Sequence, residues 1–134
     1  MDSSYAPAVD GVLDQAGIAF AYLFGSRVAG TDRAGSDADI AVSSPRELGL
    51  LETERLADRL AQALGVPGVD LVVLERAGLE LRGEIVQRGR LLFSRDEPAR
   101  VAFEVRTRSE YLDFLPTLRA HTDRFLRQTA TRGD

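Results

Sequence analysis

The sequence predicts a small α/β domain of 134 residues that ends in a helical segment. Three observations predict it. Up to residue 94, short apolar runs bounded by Gly, Asp or Pro alternate with longer stretches of helical period. Stop signals such as Gly65-Val66-Pro67 separate the two kinds of run. After Pro98 the pattern changes, and apolar residues recur only at helical spacing.

The elements follow in order. Residues 4–15 predict a helix, with Pro7 in its first turn and Ala8, Val12 and Leu13 partly inward. Residues 18–24 alternate and run into Gly25, a strand pattern. Residues 40–42 predict a short second strand. Ser44-Pro45-Arg46-Glu47 has the form of a capping box with Pro at the first helical position. It opens a helix with Leu48, Leu51, Leu56, Leu60 and Leu64 near one face, stopped by Gly65. Residues 69–74 read as a buried strand carrying one charge, Asp70. Residues 79–87 are helical, with Leu81, Ile85 and Val86 as the apolar set, and residues 91–93 form a last strand. The segment 98–128 is helical and interrupted or kinked at Pro116. Its stripe of Tyr111, Phe114, Leu115, Leu118, Phe125 and Leu126 either covers the domain's own core or docks a partner. The whole reads as one domain over 1–134, with a core at about 18–94 and the helical segment at about 98–128.

The chemistry concentrates between residues 22 and 42. An apolar run ends in Gly25-Ser26, ten residues follow, and Asp37-Ala38-Asp39 opens the next apolar run. Side chains one residue apart on a strand project to the same side, so Asp37 and Asp39 share a face. Magnesium takes hard oxygen ligands, commonly one or two carboxylates with water and substrate phosphates. Paired metals clamp the attacking and leaving oxygens of a displacement at phosphorus. A turn that leaves a strand and enters a helix exposes unpaired N–H groups, which attract phosphate. Gly25 lets the backbone approach closely and Ser26 adds a hydroxyl donor. Arg27 either reaches a phosphate or faces solvent. Asp70 is costly in an apolar run unless paired or bound to metal. It is the candidate third ligand, or the base that takes a proton from an attacking hydroxyl. Each piece alone has a bland reading: a turn, a solvated loop, a strand end. Their order and spacing favour metal-dependent nucleotidyl transfer.

Composition sets bounds. Hydrophobic content is 44% and charged content 28%, as in a soluble globular protein, and no apolar run approaches the roughly 20 residues of a membrane span. The N-terminus lacks the basic region of a signal peptide, and there are no cysteines for disulfides or thiolate metal sites. A cytoplasmic location fits. The net charge of −4 argues against broad nucleic-acid binding, although arginines grow denser after Arg76. The single histidine, His121, reads as a surface residue, and Tyr5, Tyr22 and Tyr111 as packing residues.

Gly25, Ser26, Asp37 and Asp39 complete a Gly-Ser-x10-Asp-x-Asp signature. With it the chain resembles the minimal nucleotidyltransferase (MNT) family of the DNA polymerase β-like nucleotidyltransferase superfamily. Phe24, Arg27, Gly30, Thr31, Ser36 and Ile40 also suit that family, and Asp70 follows in the order of its third acid. Ala38 stands where relatives often carry Ile or Asp. The resemblance covers about 18–94 well and the C-terminal part loosely. It implies an α+β fold built on a small mixed sheet. It further implies an antitoxin of a HEPN/MNT toxin–antitoxin module, which transfers AMP from ATP to a tyrosine of the HEPN ribonuclease toxin. Gly25 and Ser26 would bind the triphosphate; Asp37, Asp39 and Asp70 would hold one or, more in keeping with the family, two magnesium ions. Two rival functions remain open at this stage: an antitoxin that neutralises by contact alone, and an adenylyltransferase acting on a small aminoglycoside-type acceptor. The short chain leaves no extra domain to build an acceptor pocket, which favours an acceptor presented by another protein.

Overall fold

The structure, a computed structural model, describes residues 6–25 and 37–132, and the side chains of 7–25 and 37–116. Helix α1 (Ala6–Gln15) leads to strand β1 (Phe20–Phe24), and strand β2 (Ala38–Ser43) follows. Helix α2 (Leu50–Leu64) connects β2 to β3 (Val69–Val73). A 3-10 turn (Leu74–Arg76) precedes α3 (Leu79–Arg88), β4 (Arg90–Ser94) and the long helix α4 (Glu97–Arg132). The four strands form one sheet in the order β3-β2-β1-β4. Strand β1 is antiparallel to both β2 and β4, whereas β2 and β3 run parallel. The sheet is therefore mixed, as the resemblance implied. A parallel neighbour cannot be joined by a hairpin, and α2 is the crossover that the geometry demands.

Side chains alternate between the two faces of the sheet. One face packs Ala21, Leu23, Ile40 and Val42 against Val9 and Leu13 of α1 and Leu56, Leu60 and Leu64 of α2. The other packs Phe20, Tyr22 and Ala41 against Leu74, Ile85 and Val86 of the α3 region and Phe103 of α4. The Tyr22 hydroxyl donates to Glu104 Oε2 at 2.6 Å, and Arg100 donates to the same oxygen at 2.6 Å. Burial first, then this carboxylate partner, push the Tyr22 pKa well above the usual phenol value. Farther along α4, Tyr111 lies so close to Gly83 of α3 that a Cβ there would collide with its ring. Thr107, on the buried side of α4, is the described side chain whose hydroxyl is buried without a hydrogen-bond partner.

Several details depart from the sequence reading. In α1, Val9 is buried and Ala8 exposed, because the helix presents Val9 and Leu13 one turn apart. Helix α2 starts at Leu50, not at Pro45. Ser44 is drawn away: its N–H donates to Glu75 Oε1 and its hydroxyl to the Arg46 carbonyl. The cap is Gly49, whose N–H donates to Glu52 Oε1 at 3.2 Å. Leu48 is buried outside the helix and Leu51 is exposed. Leu81 is likewise exposed, unlike Ile85 and Val86. Strand β3 is a half-buried edge strand, and Asp70 on it is exposed. Helix α4 is not interrupted at Pro116. Gly65 closes α2 as expected, its N–H bonded to the Ala61 carbonyl. Tyr22 and Tyr111 are packing residues, while Tyr5 and the side chains of Leu118, His121, Phe125 and Leu126 lie outside the described set. Among the described residues, no helix is long and apolar enough to cross a membrane. Among the described residues after Arg76, Arg82, Arg88, Arg95, Arg100 and Arg108 pair with Glu110, Glu84, Asp14, Glu97/Glu104 and Glu104.

Candidate active site

The site forms where β1 ends and β2 and β3 begin. Strand β1 runs out at Phe24, and the chain turns at Gly25 with φ +80°. Phe24 pairs with Asp39 in the antiparallel register, so the turn sits directly beside Asp39. The space leaves no room for a side chain at Gly25: a Cβ would collide with Asp39 Oδ2 and lie 3.1 Å from its Cγ. Glycine is required here twice, for the left-handed backbone and for the close approach of the carboxylate.

Strand β2 begins at Ala38, so the Asp-x-Asp motif straddles its start. Asp37 stands just before the strand and is exposed; Asp39 is its second residue and half-buried. In the parallel register Asp39 pairs with Asp70. Alternation places both on the face that carries Ala41 and Val72, the side covered by α3 and α4. The two carboxylates are within hydrogen-bonding reach of each other. Partial burial raises the Asp39 pKa most, followed by the charges of Asp70 and Asp37 and the hydrogen bond with Asp70. Asp37 leans elsewhere. Both its carboxylate oxygens lie 3.3 Å from where a Cβ of Gly68 would be, while the Gly68 carbonyl accepts the Ala38 N–H at 3.1 Å. Gly68 is the site residue that the sequence reading passed over; a bare glycine two positions before the third acid is its signal.

Of the predicted site residues, the fold thus brings Gly25, Asp37, Asp39 and Asp70 to one edge. Ser26 and Arg27 lie outside the described residues. Among the described residues, no three acidic or imidazole side chains already converge as a metal site. The donor set still suits a hard divalent cation. It is all carboxylate oxygen, and two of the groups crowd each other so that a proton or a cation between them relieves the repulsion.

A family model described as Polymerase beta, Nucleotidyltransferase matches residues 10–98. The chain belongs to the polymerase beta nucleotidyltransferase family. This nucleotidyltransferase is 35% identical over 112 residues to the protein adenylyltransferase MntA of Shewanella oneidensis, covering 84% of this chain and 79% of that protein. It also superposes on a crystal structure of a toxin–antitoxin with AMP-PNP. The TM-score is 0.75 at 31% identity, over 90% of this chain and 98% of that one. A third likeness is to a complex of tri-AMPylated Shewanella oneidensis HEPN toxin with MNT antitoxin. There the TM-score is 0.74 at 28% identity, over 94% of this chain and 99% of the other. The minimal-nucleotidyltransferase resemblance read from Gly25, Ser26, Asp37 and Asp39 is borne out, and so is the polymerase β-like fold.

Proposed function

We propose that this nucleotidyltransferase is an antitoxin that transfers AMP from ATP to a hydroxyl of a HEPN ribonuclease toxin, a tyrosine in the reading favoured here, and thereby neutralises it. The observation that carries the reading is the Asp39–Asp70 pair beside the side-chain-free turn at Gly25. The likeness to a protein adenylyltransferase and to AMPylated toxin complexes supports protein as the acceptor and ATP as the donor.

In this mechanism the Gly25–Ser26 turn receives the triphosphate through its N–H groups and the Ser26 hydroxyl. Arg27, next in sequence, is the candidate for a further phosphate contact. Asp37, Asp39 and Asp70 would hold magnesium, which supplies positive charge against the triphosphate and favours the deprotonated acceptor oxygen. Asp39 and Asp70 share one face of the sheet, so the positive charge they would hold lies on that side. The acceptor oxygen forms a bond to the α-phosphorus as the bond to pyrophosphate breaks. A tyrosine hydroxyl has a pKa of about 10, so its proton needs an acceptor, and Asp70, the more exposed of the pair, is the candidate base where it is not a magnesium ligand.

The test is intact mass spectrometry of the cognate HEPN partner after incubation with the protein, ATP and magnesium. The expected result is added mass in whole AMP units, absent with the Asp37→Ala, Asp39→Ala variant. An unmodified partner in a stable complex would overturn the catalytic reading in favour of neutralisation by contact.

A further inference from the structure

Asp39 and Asp37 each lie against a glycine, but the two glycines are bare for different reasons. Gly25 needs its freedom for a left-handed backbone as well as for the Asp39 carboxylate. Gly68 is not among the glycines of positive φ, so its backbone suits a residue with a Cβ. What meets the place of that missing Cβ is one side chain. The three nearest atoms are the two carboxylate oxygens of Asp37, each at 3.3 Å, and its Cγ at 3.4 Å. The equal distances set the carboxylate broadside to the glycine. An alanine at 68 would make it give by a few tenths of an ångström. Elsewhere the pattern does not recur: Gly11, Gly17, Gly65 and Gly78 face open space, and Gly83 and Gly89 face a ring and a backbone carbonyl.

Gly68 is also tied to the motif through the backbone. Its carbonyl accepts the Ala38 N–H at 3.1 Å, and Ala38 pairs with Val69 in the parallel register. The peptide that joins Asp37 to Ala38 is therefore held at the entry to β3. Asp37 and Gly68 stand side by side, each two residues ahead of a member of the Asp39–Asp70 pair. Magnesium tolerates little error in such a ligand, because it demands near-octahedral geometry with oxygens at about 2.0–2.1 Å.

We propose that Gly68 is a positioning residue for the metal site: its bare backbone is the seat that sets where the Asp37 carboxylate stands relative to Asp39 and Asp70, and a side chain at 68 weakens the hold on a divalent cation. This rests on the reading of Asp37, Asp39 and Asp70 as the magnesium ligands. Gly68 itself contributes no ligand and acts only through Asp37.

The experiment compares wild type, Gly68→Ala, Asp37→Ala and the double variant. Manganese(II) is the probe, and its binding to the full chain without nucleotide is followed by electron paramagnetic resonance. Urea unfolding in EDTA reports on the fold alone. The expected result is a manganese Kd raised at least about tenfold in Gly68→Ala, the lower end of what groups that orient metal ligands contribute. The urea midpoint in EDTA should be no lower than that of wild type. Adding Gly68→Ala to Asp37→Ala should weaken binding no further, since a residue that acts through another has no effect once that other is gone. In the transfer assay, the magnesium needed for half-maximal rate should rise, with kcat at saturating magnesium kept. Manganese bound by Gly68→Ala as tightly as by wild type overturns the proposal. So does an equal loss of affinity in both backgrounds, or a urea midpoint lowered in both, either of which assigns the glycine to the fold. Wild-type affinity in Asp37→Ala shows instead that the ligand reading of Asp37 fails, and the seat then has no role in metal binding.

Discussion

Asp39 and Asp70 stand opposite each other on neighbouring parallel strands, close enough to share a hydrogen bond. Two carboxylates so placed repel when both are ionised. Burial and this neighbour raise the Asp39 pKa, so the folded protein prefers Asp39 protonated more than the unfolded chain does. The associated stability is complete below the ordinary aspartate range, and is lost as pH rises through the folded pKa. Without divalent metal, Asp39→Asn should therefore melt at a higher temperature than wild type at neutral pH, and the gap should close in acid. Differential scanning calorimetry from pH 4 to 8 checks this.

Magnesium should reverse that order. It stabilises the folded state only where carboxylates bind it. Added magnesium is expected to raise the melting temperature of wild type, and to leave Asp39→Asn nearly unmoved. Equal shifts in the two proteins would detach the acid pair from metal binding.

At Gly25 an alanine meets two obstacles. The left-handed backbone costs about 1–2 kcal/mol for a residue with a Cβ, and the new methyl displaces the Asp39 carboxylate. Gly25→Ala should lose transferase activity out of proportion to its loss of stability. Urea unfolding beside the mass-based transfer assay separates the two.

Gly83 offers a sign test. An alanine in a helix is ordinarily better than glycine by roughly 1 kcal/mol. Here its methyl would drive into the Tyr111 ring, and overpacking costs about 1–3 kcal/mol. Gly83→Ala is expected to destabilise, and Tyr111→Leu in the same chain to relieve part of the loss. Equilibrium urea curves of the double-mutant cycle measure it.

Tyr22→Phe removes a hydroxyl and almost no volume. The lost hydrogen bond goes to a charged acceptor, which sets the cost at about 1.5–3 kcal/mol; Glu104 keeps its Arg100 partner, which favours the lower end. Chemical denaturation should register that loss while the AMP-PNP affinity stays at the wild-type value.

Much of the site was legible because its parts are local. Gly25, Asp37 and Asp39 lie within one short stretch, although Asp37 stands before the strand and leans toward Gly68. Asp70 was legible as an acid out of place in an apolar run, but its exposure was not, since an edge strand reads like a central one until its neighbours are known. The start of α2 was misread because Ser44 has the chemistry of a cap, but its hydroxyl donates to the Arg46 carbonyl and its N–H to Glu75 in the next βα connection. Leu51 and Leu81 fit the helical period and still face outward, because period says nothing of which neighbour covers a stripe. The Tyr22–Glu104 bond joins residues 82 apart, and no pattern in the sequence announces it.

The strand order has a consequence for how the protein comes into being. Strand β1 lies between β2, which follows it closely, and β4, which is made only after β3 and α3. Asp39 meets Asp70 only after the whole α2 crossover has been synthesised and has laid β3 alongside β2. The helix that anchors to Tyr22 emerges later still. On a ribosome that releases the chain N-terminus first, the glycine turn exists early but its acid pair does not, and β4 completes the pairing of β1 after both. A truncated or stalled product thus carries the conspicuous motif without the assembled chemistry, so possession of the signature and competence to act are separate events in the life of each molecule.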